Sequence, residues 1–109
     1  MKGPVRPFHS SMVSAGRSAG WSVIISTLLP CNDAGAGVNF ESRRTTVNAS
    51  IVANYATYAD VLADLAANEA IGQSGDETNP DYYPDGLHLS RNGWELLADI
   101  WVPLIVGLL

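Results

Sequence analysis

Two side chains that together support acid–base chemistry lie three positions apart near the C-terminus, Asp85 and His88. This spacing can bring both to one side of a turn, where the carboxylate accepts a hydrogen bond from the imidazole Nδ1–H. Such a bond fixes the tautomer and gives the role of base to Nε2. Gly86 permits a sharp turn, and Tyr82 and Tyr83 could wall a shallow cleft. The alternative is an ordinary surface loop, because Asp-x-x-His also occurs by chance.

The first half of the chain reads as a helix, a strand and a second helix. Residues 7–18 have apolar positions at helical spacing, and Gly20 is placed to end that helix. The apolar, β-branched run at residues 22–29 predicts a buried strand that Pro30 ends. A loop over residues 31–40 precedes a second helix over residues 41–55, with Val47, Ile51 and Tyr55 on its apolar stripe.

The second half reads as a short element, a long loop and a final helix. Residues 58–65 fit a strand, although a helical continuation through residues 66–67 is the alternative. Turn-forming residues fill the loop at residues 72–86. Ser90 is a natural N-cap for the last helix, and Pro103 should kink that helix or make its last turn irregular. This order of elements predicts an α/β layered fold.

Composition limits the class of protein to a single globular domain spanning residues 1–109. Apolar residues make up 47% and charged residues 16%, a balance that excludes a disordered chain. The net charge of −5 argues against binding nucleic acid or an anionic membrane. No signal peptide is seen at the start of this sequence, which favours a cytoplasmic protein. The apolar residues 101–109 are too few to span a bilayer and are expected to form the buried end of a helix.

The segment around Asp85 and His88 resembles the last motif block of the SGNH/GDSL hydrolases. In that family Asp-Gly-x-His leads into a final helix, and residues 81–98 here read DYYPDGLHLSRNGWELLA. Residues 19–30, AGWSVIISTLLP, are similar to the fourth strand of the family and its approach. The resemblance implies a flavodoxin-like three-layer fold and hydrolysis of acyl esters or acetylated sugars, with His88 as general base and Asp85 as its orienting acid.

The chain departs from the family in its nucleophile. It contains no Gly-Asp-Ser motif, and the resemblance places the nucleophile and oxyanion blocks before residue 1, as in the C-terminal half of such a domain. Ser10, Ser11 and Ser14 are candidate replacement nucleophiles, with solvent-facing positions on the first helix as the alternative. Without a nucleophile and oxyanion donors, a base and its orienting acid achieve little acyl transfer.

Two residues after the predicted strand are further candidates. Asn32 could contribute to an oxyanion hole, because Asn32-Asp33 could imitate the Gly-x-Asn-Asp block of the family, although Pro30 stands where the family has Gly. The alternative is an ordinary loop after the fourth strand. Cys31 could be a nucleophile or a small residue at the end of a strand. Two histidines and one cysteine match no metal-ligand spacing, so no metal or cofactor is predicted.

The predicted sheet is thin, and this affects the expected assembly. If residues 22–29 form an edge strand, that apolar edge would pair with another chain, and a homodimer or higher oligomer is expected. The expected function is an SGNH-type esterase acting on a small ester, with weak or rearranged activity. The alternative is a catalytically inactive fragment that serves as a binding or assembly module.

Overall fold

The computed structural model describes residues 15–32 and 34–109 of the chain. Residues 15–18 form a helical turn, α1, and Gly20 follows with a φ of 93°. The remaining regular elements are, in order, β1 (Ile24–Ser26), α2 (Phe40–Asn54), β2 (Val61–Ala63) and α3 (Arg91–Leu108). Short 3-10 turns lie at Ala34–Ala36, Tyr55–Thr57, Leu65–Ala67 and Asp76–Thr78. The order confirms the predicted mixed α/β class.

The described sheet consists of two parallel strands, with Ile25 of β1 opposite Leu62 of β2. The predicted strand at residues 22–29 is too long, since β1 covers only Ile24–Ser26. The side chain of Asn48 explains its end, because it binds both backbone groups of Leu28: Oδ1 accepts from the N–H at 2.8 Å and Nδ2 donates to the carbonyl at 3.0 Å. A helix side chain therefore replaces a neighbouring strand at that point.

Helix α2 confirms the predicted helix over residues 41–55, but its buried face is different. Arg44, Asn48 and Ile51 are buried, whereas Val47 of the predicted stripe is 42% exposed. Ile51 joins Ile25 and Ala59 in the main apolar cluster, against which further side chains pack: Val23, Tyr55, Tyr58 and Leu62. One end of this face is thus apolar and the other end is polar.

The segment at residues 58–65 combines both alternatives considered for it. Strand β2 covers Val61–Ala63, and a 3-10 turn over Leu65–Ala67 follows directly. Thr27 helps to set this change of direction. Its Oγ1 accepts from Ala66 N at 2.9 Å and donates to Asp64 Oδ1 at 3.0 Å.

Helix α3 begins as predicted and is more exposed than predicted. Ser90 Oγ accepts from Gly93 N at 3.2 Å, and the helix continues through Pro103 to Leu108, so its last turn stays helical. The expected burial of residues 101–109 is wrong, since Val102 is 54% and Val106 61% exposed. A helix of 18 residues is about 27 Å long, and two strands spaced about 4.8 Å apart cannot cover it. Within the described ranges, no helix has the length and apolar character needed to cross a membrane.

Candidate functional site

The turn that carries Asp85 and His88 is organised by the Asp85 carboxylate. Oδ1 accepts from the backbone N–H groups of Leu87 at 2.9 Å and His88 at 2.7 Å. Oδ2 lies 2.6 Å from His88 Nδ1. A charged carboxylate has no proton to give, so the imidazole nitrogen is the donor in this contact. The two predicted catalytic side chains are therefore in direct contact.

The electrostatics of the pair keep Asp85 ionised. The hydrogen bond from the His88 side chain lowers the pKa of Asp85 well below its usual value, and the two backbone N–H groups lower it further. The side chains of His88 and Asp85 are 76% and 53% exposed, respectively, so the pair is accessible to a ligand from solution. An ionised acid that orients an accessible imidazole is an arrangement suited to proton transfer.

Gly86 fixes the position of this turn against the rest of the molecule. Its φ is 78°, in the region that glycine adopts without steric cost. The carbonyl of Gly86 accepts from Asn32 N at 2.6 Å, and its N–H donates to Tyr83 O at 3.3 Å. A Cβ at this position would lie 3.3 Å from the Cβ of Asn32. The loop after β1 is thus pressed against the turn.

Tyr83 does not wall a cleft, contrary to the sequence-based expectation. It is 2% exposed, and its hydroxyl donates to Ile71 O at 2.6 Å. Burial is the main cause that raises the pKa of Tyr83 to about 12. Tyr82 is half-buried, and its carbonyl accepts from Ser90 N at 2.8 Å. Both tyrosines support the turn and the start of α3.

The other predicted site residues divide into two groups. Ser10, Ser11 and Ser14 lie outside the described residues. Asn32 is exposed, and its backbone N–H binds Gly86 O, so the structure brings it against the turn that carries the predicted pair. Cys31 is a half-buried free thiol. It lies in the loop beyond β1, so its predicted position at a strand terminus is wrong.

Helix α2 also carries a polar cluster that the sequence-based expectations do not include, formed by Glu41, Arg44 and Asn48. Arg44 is 3% and Asn48 7% exposed, although both are polar. Positions 44, 48, 51 and 55 form one helical face, so this face was available from the periodicity. Burial of an arginine is rare without partners, and the carbonyls that Arg44 binds, Leu28 O and Gly72 O, are distant in sequence.

Within the part of the chain that the structure describes, no metal cluster accompanies the turn, and a groove lies elsewhere. The described residues contain no group of three or more His, Cys, Asp or Glu side chains that could hold a metal ion. A shallow groove of about 440 Å³ lies between α2 and the segment after β2. Its lining includes Val52 and Asp64 and no residue of the turn at 85–88.

Comparisons with protein-family models, curated proteins and solved structures give no match to this chain.

Proposed function

We propose that the protein is an ester hydrolase of the SGNH/GDSL type, in which His88 is the general base and Asp85 is its orienting acid. The observation that carries the proposal is the 2.6 Å contact between Asp85 Oδ2 and His88 Nδ1. The order Asp-Gly-x-His followed by a capped helix supports it, since Ser90 caps α3 just beyond the turn. The proposal also includes a flavodoxin-like arrangement of the complete sheet.

In the proposed mechanism, His88 Nε2 takes a proton from the nucleophile as that nucleophile attacks the ester carbonyl carbon. The nucleophile is a serine hydroxyl, with Ser10, Ser11 and Ser14 as candidates, or a water molecule. Asp85 stabilises the imidazolium that forms, and the imidazolium then protonates the departing alcohol as the ester C–O bond breaks. With a serine nucleophile, water hydrolyses the acyl-enzyme by the same proton transfers.

Asn32 is the proposed source of oxyanion stabilisation, because the loop that carries it adjoins the turn through the bond from Asn32 N to Gly86 O. A side-chain amide can donate to the negative charge that develops on the carbonyl oxygen. The exposure of the pair favours a small ester, such as an acetyl ester, because an open site encloses little of a larger acyl group.

A homodimer is part of the proposal. Among the described residues, β1 pairs with β2 alone, and a second copy could pair with the other edge of β1 at Ile24–Ser26, since Asn48 already binds both backbone groups of Leu28. Such pairing would extend the sheet. Light scattering is expected to give the mass of a dimer, and a stable folded monomer at micromolar concentration would refute this part of the proposal.

The experiment compares p-nitrophenyl acetate hydrolysis by the wild type, His88→Gln and His9→Gln. A control at His9, the other histidine of the sequence, is needed because imidazole itself hydrolyses this ester slowly. We expect saturation kinetics, a loss of about 100-fold or more in His88→Gln, and no change in His9→Gln. Equal rates in all three proteins would exclude His88 from the reaction.

The absence of a Gly-Asp-Ser motif favours a second candidate function, that of a catalytically inactive binding or assembly module. A serine-directed phosphonate probe separates the two functions. Labelling of one serine per chain supports the esterase with a serine nucleophile. No labelling, together with no turnover, supports the inactive module, whereas turnover without labelling indicates an activated water.

A further inference from the structure

The guanidinium of Arg44 joins two backbone segments that are far apart in sequence. Its Nη1 donates to Leu28 O at 2.9 Å and to Gly72 O at 3.0 Å. Nε and Nη2 donate to the two carboxylate oxygens of Glu41, at 2.8 Å and 2.6 Å. The carboxylate balances the charge of the buried arginine, and Nη1 remains directed at the two carbonyls.

The first segment leads from Leu28 to the turn. Asn48 reinforces this end by binding both backbone groups of Leu28. Pro30 is fully buried, which holds the path of the loop. Two residues later, Asn32 N donates to Gly86 O at 2.6 Å.

The second segment leads from Gly72, through Ile71 and Tyr83, to Gly86. No side chain fits at position 72, because a Cβ there would collide with Leu65 O and lie 2.7 Å from Ala66 C. The preceding residue, Ile71, accepts the hydrogen bond of the Tyr83 hydroxyl. Tyr83 O in turn accepts from Gly86 N at 3.3 Å. Both backbone groups of Gly86 are therefore held by segments whose other ends, Leu28 and Gly72, are bound by Arg44.

We infer that Arg44 is a positioning residue for the Asp85–His88 pair, acting through the two segments that converge on Gly86. Gly86 lies between the two partners, so a shift of its peptide groups turns the Asp85 carboxylate away from Leu87 N, His88 N and the imidazole. The inference adds to the proposed function, but it concerns the geometry of the pair and can be measured without turnover.

The planar fork of arginine is essential to this role. It offers five N–H donors in fixed directions, and four of them bind the Glu41 carboxylate and the two carbonyls. A lysine retains the charge but has three donors on one tetrahedral nitrogen, so it cannot reach all four acceptors. Arg44→Lys therefore keeps the positive charge and removes the planar set of donors, so it tests the two contributions separately.

The test is the tautomer of His88, measured by long-range ¹H–¹⁵N NMR in the folded protein at a pH where the ring is neutral. We expect the Nδ1–H form to dominate in the wild type, and the Nε2–H fraction to rise by about threefold in Arg44→Lys. Arg43→Lys is the matched control, since Arg43 is the preceding residue of α2 and binds Val38 O and Ala36 O instead. It should leave the tautomer unchanged.

A second variant keeps the test decisive if Arg44→Lys does not fold. Tyr83→Phe removes only the hydroxyl link to Ile71, and a smaller shift toward Nε2–H is expected. An unchanged tautomer in a folded Arg44→Lys, or in Tyr83→Phe when Arg44→Lys is unfolded, would overturn the inference whatever the esterase activity is. A shifted tautomer without ester turnover in any of the proteins would support the inference and count against the proposed function.

Discussion

Two pairs in this molecule, each formed by a carboxylate and a nitrogen base, share the same sequence spacing and the same distance. Glu41 and Arg44 are three residues apart with a closest N···O distance of 2.6 Å, and Asp85 and His88 repeat both values. The nitrogen bases differ in environment, because the side chain of Arg44 is 3% exposed and that of His88 is 76% exposed. The first pair lies on a helix and the second in a turn.

The comparison teaches that spacing alone does not separate a structural pair from a chemical one. On α2, the helix brings Glu41 and Arg44 together, and burial requires the remaining guanidinium donors to find acceptors in the backbone. In the turn, Asp85 creates the geometry itself by accepting two backbone N–H groups. The exposure of His88 then keeps its ring within reach of a substrate.

The largest difference between the pairs should appear when the buried cation is removed. Arg44→Met is expected to lower the free energy of unfolding by about 3 kcal/mol, because Gly72 O loses its charged donor inside the protein. Urea unfolding monitored by tryptophan fluorescence would measure this loss. Arg43→Met is the control and should cost about 0.5 kcal/mol or less. Equal losses in both variants would mean that the buried pair contributes no more than a surface contact.

The two pairs could not be predicted equally well from the sequence. Asp85 and His88 could be predicted because every contact within the turn joins residues at most three positions apart. The role of Arg44 could not, because its carbonyl partners are 16 and 28 positions away and were assigned to other elements. Hydrogen bonds between residues close in sequence can be predicted from the sequence. The convergence of distant backbone segments depends on the completed fold.

The predicted helices and strands also succeed where the signal is local and fail where it depends on distant residues. The helical periodicity of residues 41–55 and the N-cap at Ser90 identified α2 and α3, because propensity and capping act within a few residues. The strand at residues 22–29 was predicted too long, since the β-branched run gives no sign that Asn48 binds Leu28. The exposure of Val102 and Val106 was missed because burial of an apolar stripe depends on the width of the sheet.

An intermediate effect is expected at the point where the rest of the molecule meets the turn. Gly86→Ala should lower the free energy of unfolding by about 2 kcal/mol, because alanine pays for the positive φ and its Cβ presses on Asn32. Gly75→Ala is the matched control, since Gly75 has a φ of 98° and open space around its Cβ position. It should cost about 1 kcal/mol. Equal losses would show that the contact with Asn32 adds nothing to the cost of the backbone conformation.

The smallest effect on stability is expected at the exposed pair itself. Asp85→Asn retains an oxygen acceptor for Leu87 N and His88 N and removes the charge that faces the imidazole. The pKa of Asp85 is lowered in the folded protein, mainly by the His88 hydrogen bond, so ionised Asp85 contributes stability at pH values above its ordinary pKa of 3.8. That contribution is lost as the pH falls below 3.8 and through the lowered value.

Urea unfolding of the wild type and Asp85→Asn at several pH values checks this sign. The wild type should be the more stable protein near neutral pH, and the difference should shrink on acidification below about pH 4. A difference that stays constant or grows in acid would mean that the folded turn does not favour the charged carboxylate. In this variant the rate of ester hydrolysis should fall strongly while the free energy of unfolding changes little. A screened surface charge adds little to folding, whereas the orientation of His88 is needed in every proposed catalytic cycle.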